Sequence, residues 1–310
     1  MLILVNKTSN SGEAACKWDN VEKGLDSLGI NYNAVFPTGS EDCQAKVIEE
    51  IENGGKIIIP AGGDGTVNCA LNAVMDPATD TPRGDIAFGG IALGSSNDFH
   101  KPFENYTNIE DITLRIDHEK TALTDVGKVE FTDTDGNTKI HYFILNSSIG
   151  FVAEGNALFH SGSKVLNFIN SRSNDMAIIY AILVNLITFR RFKASIKLDD
   201  NEPEDFTVSA MGILKKVQFA GDMKYDTPVT FDDGMFDVNL WENMGRIRLI
   251  KTLAALFDGR FSGLPNTRTW RAKKVSITPE KPVHLEFDGE IAKIASAKLS
   301  VLPKILKVCG

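Results

Sequence analysis

Hydrophobic and polar positions follow two different rhythms along the 310-residue chain, and the change falls near residue 120. Before it, short apolar runs rich in β-branched residues alternate with stretches whose apolar residues recur at helical spacing. The apolar runs lie at Leu2–Val5, at the segment ending at Phe36 and at Ile57–Ile59, and the helical stretches lie at 14–28, 40–51 and 67–74. This β-α-β-α-β-α order predicts a mainly parallel sheet with helices on both faces.

Beyond residue 120 the apolar residues fall in short runs separated by turn residues, which favours antiparallel strands. Expected strands lie at 130–140, 141–145, 194–198, 206–214, 217–220, 229–231, 235–241, 275–277, 283–287 and 297–302. A helical insert is expected over residues 163–192. We therefore predict an α/β domain over residues 1–120, joined by the last strand at 298–310, and a mostly antiparallel β-sandwich domain over residues 121–297.

The densest glycine cluster follows the third predicted strand, where Gly62, Gly63 and Gly65 surround Asp64. Glycine lets a ligand approach the main chain, and the free N–H groups at the start of a helix attract anions. We therefore predict a phosphate-binding turn, with Asp64 placed to reach a bridging metal ion and with Thr66 offering its hydroxyl to the ligand or to the helix N-terminus. A tight turn without a ligand is the alternative. The segment matches neither the P-loop nor the Rossmann fingerprint.

Composition limits the class of protein further. Hydrophobic residues make up 43% and charged residues 24% of the chain, an ordinary globular balance, and the net charge of −8 argues against a general nucleic-acid-binding protein. The four cysteines are irregularly spaced without a C-x-x-C pair, which predicts free thiols in a reducing cytoplasm. The longest apolar run, residues 176–189, is too short to span a bilayer, and residues 1–6 lack the features of a signal peptide.

Charge is distributed unevenly along the chain. From Arg246 onward there are 13 Lys and Arg residues against 5 Asp and Glu residues. A basic C-terminal segment of this kind favours either contact with an anionic membrane surface or basic strand faces exposed to solvent, and both interpretations stay open. Residues 180–193, apolar and then basic, are a second candidate for contact with a membrane surface.

Three further polar motifs follow predicted strands. The first, Gly94-Ser95-Ser96-Asn97-Asp98-Phe99, comes after a strand predicted at 84–92, and its side chains suit either a nucleotide or a simple Asx turn. In the second, Asp232, Asp233 and Asp237 put three carboxylates within six residues, which suits Mg²⁺ and equally suits a hairpin turn. The third is Asp288-Gly289-Glu290, which by itself is a common turn.

Taken in this order, the motifs resemble the signature segments of the diacylglycerol kinase catalytic-domain family, which includes sphingosine, ceramide and bacterial lipid kinases. The Gly62–Asn68 segment looks like the family's G-G-D-G-T run, and Ala92–Phe99 looks like its P-x-G-T-x-N-D-F segment. The acidic motifs are similar to D-D-G-x-x-D and D-G-E, and Asn6 to Gly12 resembles an N-P-x-S-G loop without its proline. NAD kinases and phosphofructokinases share G-G-D-G-T, but NAD kinases carry a different second motif.

The resemblance implies an ATP- and Mg²⁺-dependent kinase with the fold that diacylglycerol kinases share with NAD kinases. Asp288 would be the general base, Glu290 would help with the metal or with orientation, and Asp64 would act through the metal. The implied ATP-binding residues are Asn6, Thr8, Gly62, Gly63, Gly65, Thr66, Gly94, Ser95, Asn97 and Asp98. The resemblance also assigns a structural metal to Asp232, Asp233 and Asp237.

The implied acceptor is a hydroxyl group of a membrane lipid, such as diacylglycerol, a sphingoid base or a related lipid, held by the β-rich domain. We therefore expect a cytoplasmic enzyme of phospholipid biosynthesis in peripheral contact with the inner membrane surface. Nucleic acid is not an expected partner, and a homodimer stays open. Three departures from the family pattern are Cys69 in place of glutamate, His100-Lys101 in place of an arginine, and the absence of a glycine-rich run at 218–222. A kinase of a soluble substrate, as in NAD kinases, and a catalytically inactive nucleotide- or lipid-binding protein remain alternatives.

Overall fold

The structure, a computed structural model, describes residues 1–101, 107–159, 161, 174–219 and 223–310. The helices in these residues are α1 Glu13–Ser27, α2 Ser40–Glu52, α3 Asp64–Val74, α4 Phe151–Phe159, α5 Asn174–Thr188 and α6 Arg246–Phe257. Two short 3₁₀ helices lie at Asn10–Gly12 and Asp98–His100. Among the helices described, none is long and apolar enough to cross a membrane.

The strands divide into an N-terminal set and a larger second set. The first set is β1 Leu2–Val5, β2 Asn33–Val35, β3 Ile57–Gly62, β4 Met75–Asp76, β5 Thr81–Pro82, β6 Ala87–Phe88, β7 Gly90–Ala92, β8 Thr107–Ile109 and β9 Ile112–Arg115. The second set is β10 Thr121–Asp133, β11 Thr138–Phe143, β12 Asn146–Gly150, β13 Phe192–Leu198, β14 Glu204–Leu214, β15 Gln218–Phe219, β16 Met223–Lys224, β17 Phe236–Glu242, β18 Thr267–Ala272, β19 Lys274–Pro279, β20 Val283–Phe287 and β21 Glu290–Cys309.

The N-terminal region is an α/β unit around parallel strands. Strand β1 pairs in parallel with β2 and β3, and β3 pairs in parallel with β6 and β7. Helix α1 buries Trp18 and Leu25 against one face of this sheet, while α2 and α3 bury Val47 and Leu71 against the other. The two apolar helix faces therefore cover both sides of the sheet, as the alternation of strand and helix patterns predicts.

The second region is antiparallel. Strand β14 pairs with β12, β13 and β17, and β17 continues to β18, all in antiparallel register. Strands β19, β20 and β21 add a further antiparallel set that shares one apolar core with them. The predicted fold class, a mainly parallel α/β region followed by a mostly antiparallel β region, is confirmed.

One long strand connects the two regions. Strand β21 pairs antiparallel with β10 along almost its whole length, and at its end Lys307 and Val308 pair in parallel with Ala87 and Phe88 of β6. The turn that precedes β21 contains Asp288, so the same strand carries an acidic turn at its start and joins the N-terminal sheet at its end. This places the last acidic motif where the two regions meet.

Three predictions differ from the structure, and a fourth is described only in part. The strand expected at 84–92 is split into β6 and β7 at Gly89, where the backbone lies so close to the carbonyl oxygen of Arg115 that a Cβ would overlap it. The strand expected at 229–231 is a loop in the described structure, since the Thr230 carbonyl turns to a buried lysine instead of a neighbouring strand. Helix α3 already begins at Asp64, with Gly63 before it, so Thr66 does not cap it. Of the expected helical insert, α5 is described, while residues 162–173 lie outside the described residues.

Candidate active site

Two glycine turns lie against each other at the ends of the parallel strands. The N–H groups of Leu93 and Gly94 both donate to the Gly62 carbonyl at 3.1 Å. A Cβ on Gly94 would overlap the Cα of Gly63, and a Cβ on Gly63 would lie 3.4 Å from the Cα of Gly94. The absence of side chains at these two positions therefore brings the two predicted ATP-binding turns into backbone contact.

Asp64 holds the second turn in place. Its Oδ2 accepts the Asp98 N–H at 3.1 Å, and its Oδ1 accepts the Phe99 N–H at 3.0 Å. Burial, helped by the nearby Asp98 carboxylate, raises the pKa of Asp64 above its usual range. The carboxylate thus braces the two loops, a role that the sequence motif does not reveal.

The loop after β1 joins the same place. Asn6 Nδ2 donates to Thr66 Oγ1 at 3.1 Å, and Asn6 Oδ1 accepts the Thr8 N–H at 3.1 Å and the Thr8 hydroxyl at 2.7 Å. Strands β1, β3 and β7 all end here, and ligands of parallel sheets bind beyond the carboxyl ends of the strands. The structure therefore gathers Asn6, Thr8 and the glycine turn, all predicted to bind nucleotide, at one edge of the sheet.

The second turn is shaped by its own side chains. Asn97 adopts a left-handed backbone conformation (φ 53°), and its side-chain amide both accepts the Gly94 N–H and donates to the Gly94 carbonyl at 2.9 Å. Asp98 is buried and accepts hydrogen bonds from the Ser96 hydroxyl at 2.9 Å and from Lys101 Nζ at 3.2 Å. Ser95 is exposed and lines a groove of about 360 Å³. Ser95 is thus the most exposed side chain of this turn, while Asn97 and Asp98 shape the turn.

Asp288 lies in a cradle of N–H groups. Its carboxylate accepts the backbone N–H groups of Ile144, Leu145 and Asn146 at 2.8, 2.9 and 3.1 Å. Asn68 of α3, 220 positions earlier, donates its side-chain N–H at 3.2 Å. Burial raises the pKa of Asp288 to about 7, against the lowering effect of these donors. A carboxylate held in one orientation and titrating near neutral pH is suited to take a proton.

The turn that contains Asp288 faces the glycine turn. Asp288 has a left-handed backbone (φ 47°) at the end of β20, and the exposed Glu290 follows it. A Cβ on Gly65 would lie 3.9 Å from Glu290 Oε1, so the Glu290 carboxylate reaches the predicted phosphate-binding turn. The structure therefore brings together the candidate acids Asp64, Asp288 and Glu290 from opposite ends of the chain.

Buried charged residues that the sequence motifs do not indicate surround the site. Lys216 Nζ donates to the carbonyl oxygens of Phe99 and Lys101 at 3.0 and 2.9 Å, and burial, followed by the nearby Arg115, lowers the pKa of Lys216 to about 7. Arg115 also donates to the Phe99 carbonyl, at 3.2 Å. Both residues come from segments without a recognisable signal, since a basic residue at the end of an apolar strand usually lies on the surface.

Glu286 supports the acidic turn from within β20. Its carboxylate accepts the Ser148 hydroxyl and the Gly289 N–H, each at 2.7 Å, and burial raises its pKa to about 7. Glu286 therefore holds the turn that contains Asp288 through its hydrogen bond from the Gly289 N–H. No spacing rule would have singled it out, since a glutamate on a strand is commonly exposed.

The acids of the Asp232–Asp237 motif do not fit a metal ion held by all three. Asp233 contacts Lys215 Nζ at 3.3 Å and forms an ion pair with Arg271, Asp237 lies 3.9 Å from Arg271 Nε, and Asp232 lies 3.5 Å from Lys304 Nζ. In the part of the chain that the structure describes, no group of three or more His, Cys, Asp or Glu side chains is placed to hold a metal ion. Basic side chains neutralise the carboxylates for which the resemblance implies a cation.

Lys215 occupies the centre of this region. Its ammonium donates to Asp125 Oδ2 at 2.7 Å and to the carbonyl oxygens of Thr230 and Met235 at 2.9 Å, and the side chain is 1% exposed. Asp125 also accepts the Gly234 N–H at 2.7 Å. An all-oxygen cage of this kind resembles the surroundings of a bound cation, and here the cation is a lysine side chain of the protein itself.

Two family models match the chain, one on each region. The model of the diacylglycerol kinase catalytic domain matches residues 1–129. The model of the YegS C-terminal NAD kinase beta sandwich-like domain matches residues 161–310. The first match includes both glycine turns, and the second includes the Asp288 turn.

Individual proteins show the same similarity over the whole length. A protein named diacylglycerol kinase from Mycobacterium tuberculosis (strain CDC 1551 / Oshkosh) is 24% identical over 308 residues, which are 98% of this chain and 93% of the relative. The crystal structure of a diacylglycerol kinase from Bacillus anthracis str. Sterne has a TM-score of 0.65 at 17% identity, covering 99% of this chain and 95% of that chain. Yeast NADH kinase complexed with NADH has a TM-score of 0.53 at 9% identity, covering 99% and 81%. These structures share the fold.

Proposed function

Because the diacylglycerol kinase catalytic-domain model matches residues 1–129 and the YegS C-terminal domain model matches residues 161–310, we propose that the chain transfers the γ-phosphate of ATP to a hydroxyl group of a membrane lipid such as diacylglycerol. The observation that carries this proposal is the position of Asp288. A buried carboxylate with a pKa of about 7 lies next to a glycine turn at the start of a helix, and a neighbouring acid, Glu290, reaches that turn. A base beside an anion site is the arrangement that phosphoryl transfer to an alcohol requires.

The nucleotide phosphates would lie against the turn formed by Gly62, Gly63 and Gly65. The first N–H groups of α3 have no carbonyl partner within the helix, and the positive end of the helix dipole favours an anion there. The neighbouring loops supply further polar contacts from Thr8 and Ser95, which are both exposed. Asn6, Thr66, Asn97 and Asp98 contribute by fixing the shapes of these loops through the hydrogen bonds described above.

Asp288 acts in this proposal as the general base for the lipid hydroxyl. The three backbone N–H groups and Asn68 fix the carboxylate in one orientation and together occupy its four lone pairs. The Asn68 side chain, whose hydrogen bond of 3.2 Å is the longest of the four, would therefore turn away when Asp288 takes the proton. A pKa of about 7 leaves a large fraction of the carboxylate ionised at neutral pH, while it keeps a proton affinity that a normal aspartate lacks.

Mg²⁺ brought in with ATP neutralises charge on the phosphate oxygens when bound. Glu290 and Asp64 are the carboxylates beside the turn that would hold it, and each Asp64 oxygen has a lone pair left after accepting one N–H. Magnesium in kinases is usually bound by one or two carboxylates together with phosphate oxygens, so a cluster of three acids is not needed.

The two alternatives make different use of the same residues. A kinase of a soluble substrate such as NAD⁺ would share the glycine turn and the fold. A nucleotide- or lipid-binding protein without catalysis would retain the turn but would have no need for the buried, oriented Asp288. The intact cradle around Asp288 therefore favours a catalyst.

The test is transfer of labelled γ-phosphate from ATP to a panel of lipids in mixed micelles, with NAD⁺ as the soluble acceptor. We expect label in a lipid, and we expect Asp288→Asn to lower kcat about 10²-fold or more, because the amide cannot take the proton. The matched control is Asp135→Asn in the exposed Asp135-Gly136 hairpin turn, which should retain full activity.

Label in NAD⁺ and in no lipid would establish the soluble-substrate kinase in place of the lipid kinase. No label in any acceptor, with ATP binding intact, would establish the binding protein without catalysis. If the Asp288→Asn variant has the same activity as the wild type, Asp288 is not the general base.

A further inference from the structure

Six large apolar side chains lie exposed on two neighbouring helices, remote in sequence from the motifs of the site. They are Ile182, Leu183 and Ile187 on α5 and Ile247, Ile250 and Phe257 on α6. Arg246 links the two helices, donating from Nε to the Leu186 carbonyl at 2.9 Å and from Nη2 to the Ile187 carbonyl at 2.8 Å. The end of α5 and the start of α6 are thus held together, and we call the surface that carries these six residues the α5–α6 face.

Helix α6 is apolar on both sides. Its inner side buries Leu249 and Leu256 against the core beside Trp241. Its outer side exposes Ile247, which is 74% exposed, and Ile250, followed by Ala254 and Phe257, spaced three, four and three residues apart on one helical stripe. Packing within the chain accounts for the inner stripe, but it does not account for an apolar outer stripe on a helix at the surface.

Basic residues outnumber acidic ones around this face, whose acids are Asp175 near the start of α5 and Asp258 just after α6. Residues 180–193 and 246–257 together contain six Lys or Arg residues and no Asp or Glu, in a chain whose net charge is −8. Arg190, Arg191 and Lys251 are exposed beside the apolar side chains. A surface that combines exposed apolar side chains with mainly basic charged ones is complementary to the headgroups and outer acyl region of an anionic bilayer.

A groove of about 770 Å³ runs between the end of α5 and the start of α6. Leu186, Phe189 and Met244 are among its apolar lining residues, and Arg190, Arg248 and Lys251 are among its basic ones. An apolar floor with basic groups on the rim suits a molecule with a hydrocarbon part and an anionic part. Phospholipid has both, which favours a lipid surface over a protein partner as the occupant.

The α5–α6 face is coupled to the strand that orients Asp288. Asn185 of α5 is buried, and its side-chain N–H donates to the carbonyl oxygen of Phe151 at 2.7 Å. Phe151 is the first residue of α4. Helix α4 begins directly after β12, and β12 begins at Asn146, whose N–H contacts Asp288. The five residues of β12 span roughly 13 Å. A bilayer on this face would therefore lie within reach of the region where the lipid hydroxyl must enter.

From these observations we infer that the α5–α6 face is the surface by which the protein docks on an anionic lipid bilayer, with α6 lying in the headgroup layer. The inference rests on the proposed lipid kinase function. It deepens that function by assigning the membrane contact to particular side chains, which explains how a chain whose described helices cannot cross a membrane would reach its substrate.

The test is sedimentation of the full-length chain with vesicles of phosphatidylcholine alone and of phosphatidylcholine mixed with phosphatidylglycerol. We expect preferential binding to the anionic vesicles, weakened by added salt. The double variants Ile247→Asp/Ile250→Asp and Arg248→Gln/Lys251→Gln should each reduce binding about tenfold or more. The controls are Leu28→Asp and Lys298→Gln, which alter exposed residues of the same types elsewhere and should bind like the wild type.

Two further measurements separate this inference from the proposed function. Melting temperatures should be retained, because the altered side chains are exposed or at the rim of the groove. With a short-chain, water-soluble acceptor lipid, kcat of both double variants should match the wild type, while phosphorylation of lipid in vesicles should fall with binding. Vesicle binding by a wild-type chain that phosphorylates no lipid would uphold the docking face and overturn the lipid kinase.

Unchanged vesicle binding in both double variants, with lipid phosphorylation intact, would overturn the docking face and leave the lipid kinase standing. A wild-type dimer that the same substitutions convert to a monomer, again without loss of vesicle binding, would overturn it as well, because the face would then be covered by a second copy of the chain. Analytical ultracentrifugation of the same variants measures whether they are monomers or dimers.

Discussion

Two acidic turns of the second region differ in what surrounds their carboxylates. In the described structure, the groups that donate hydrogen bonds to Asp288 are the uncharged N–H groups of three backbone positions and of Asn68, and burial raises its pKa to about 7. Burial also acts on Asp233, but hydrogen bonds from Thr230 and Met235 together with Lys215 outweigh it and lower the pKa of Asp233 below its usual range. Similar local sequences thus give one acid with a raised pKa and one acid with a lowered pKa that is paired with basic side chains.

The neighbouring lysines Lys215 and Lys216 also differ in their surroundings, since one contacts carboxylates and the other contacts neutral carbonyl groups. Lys215 points into the second region and neutralises Asp125 and Asp233, while Lys216 points towards the glycine turns and donates to the carbonyl groups of Phe99 and Lys101. The two lysines lie in the bend directly after β14 and point to different places, so one dipeptide serves both. The first lysine belongs to the architecture, and the second belongs to the surroundings of the candidate active site.

The largest expected effect comes from removing one of these lysines. Lys215→Met should lower the free energy of unfolding by about 3–5 kcal/mol, because it leaves the buried Asp125 without its cation. Lys216→Met should cost less, about 1–3 kcal/mol, because its hydrogen bonds go to neutral carbonyl groups. Urea denaturation of both variants measures the difference, and equal losses of stability would contradict the distinction between the two lysines.

The second expected effect is on the pH dependence of catalysis. If Asp288 is the base, it must be ionised to act, so kcat should fall about tenfold per pH unit below a pKa of about 7. Glu286→Gln is the control, because the pKa of Glu286 is also raised to about 7 while its carboxylate bonds to Ser148 and Gly289. The acid limb should persist in this variant, and its disappearance would assign the titration to Glu286 instead.

A smaller effect concerns stability as a function of pH. The folded-state pKa values of Glu286 and Asp288 lie above their unfolded values near 4, so the folded state binds more protons between these values. Their contribution to stability is therefore complete below about pH 4 and is lost as the pH rises through about 7. Glu286→Gln should remove roughly 1–3 kcal/mol of that dependence. Unfolding at about pH 5 and about pH 8 measures it, and an unchanged dependence would contradict the burial of an acid at this position.

The smallest expected effect is that of a chelator on the melting temperature. Proteins with a structural metal lose stability when the metal is removed. Because Lys215, Lys304 and Arg271 neutralise the acids of the Asp232–Asp237 motif, EDTA should shift the melting temperature by less than about 1 °C. A fall of several degrees that Mg²⁺ restores would establish the structural metal implied by the family resemblance.

Much of the site could be predicted from local sequence. The family, the fold class and an enzyme of the kinase class are confirmed, because the glycine turn, the Asn97–Asp98 turn and the Asp288 turn each lie in one short segment with a recognisable pattern. The roles assigned to the individual residues and the domain boundaries stay predictions. What local sequence did not indicate are Lys216, Glu286 and Arg115, since nothing in their neighbourhood distinguishes a buried charged residue from an exposed one.

The amino-acid sequence by itself determined the order of strands and helices and the positions of the glycine turns, because hydrophobic periodicity and glycine content act over a few neighbouring residues. Only the tertiary structure decided which carboxylates have cations beside them. Asp288 meets Asn68 across 220 positions, and Lys215 meets Asp125 across 90. The proton affinity of a buried acid depends on such distant neighbours and on the water that they exclude, so it is a property of the folded chain and not of a motif.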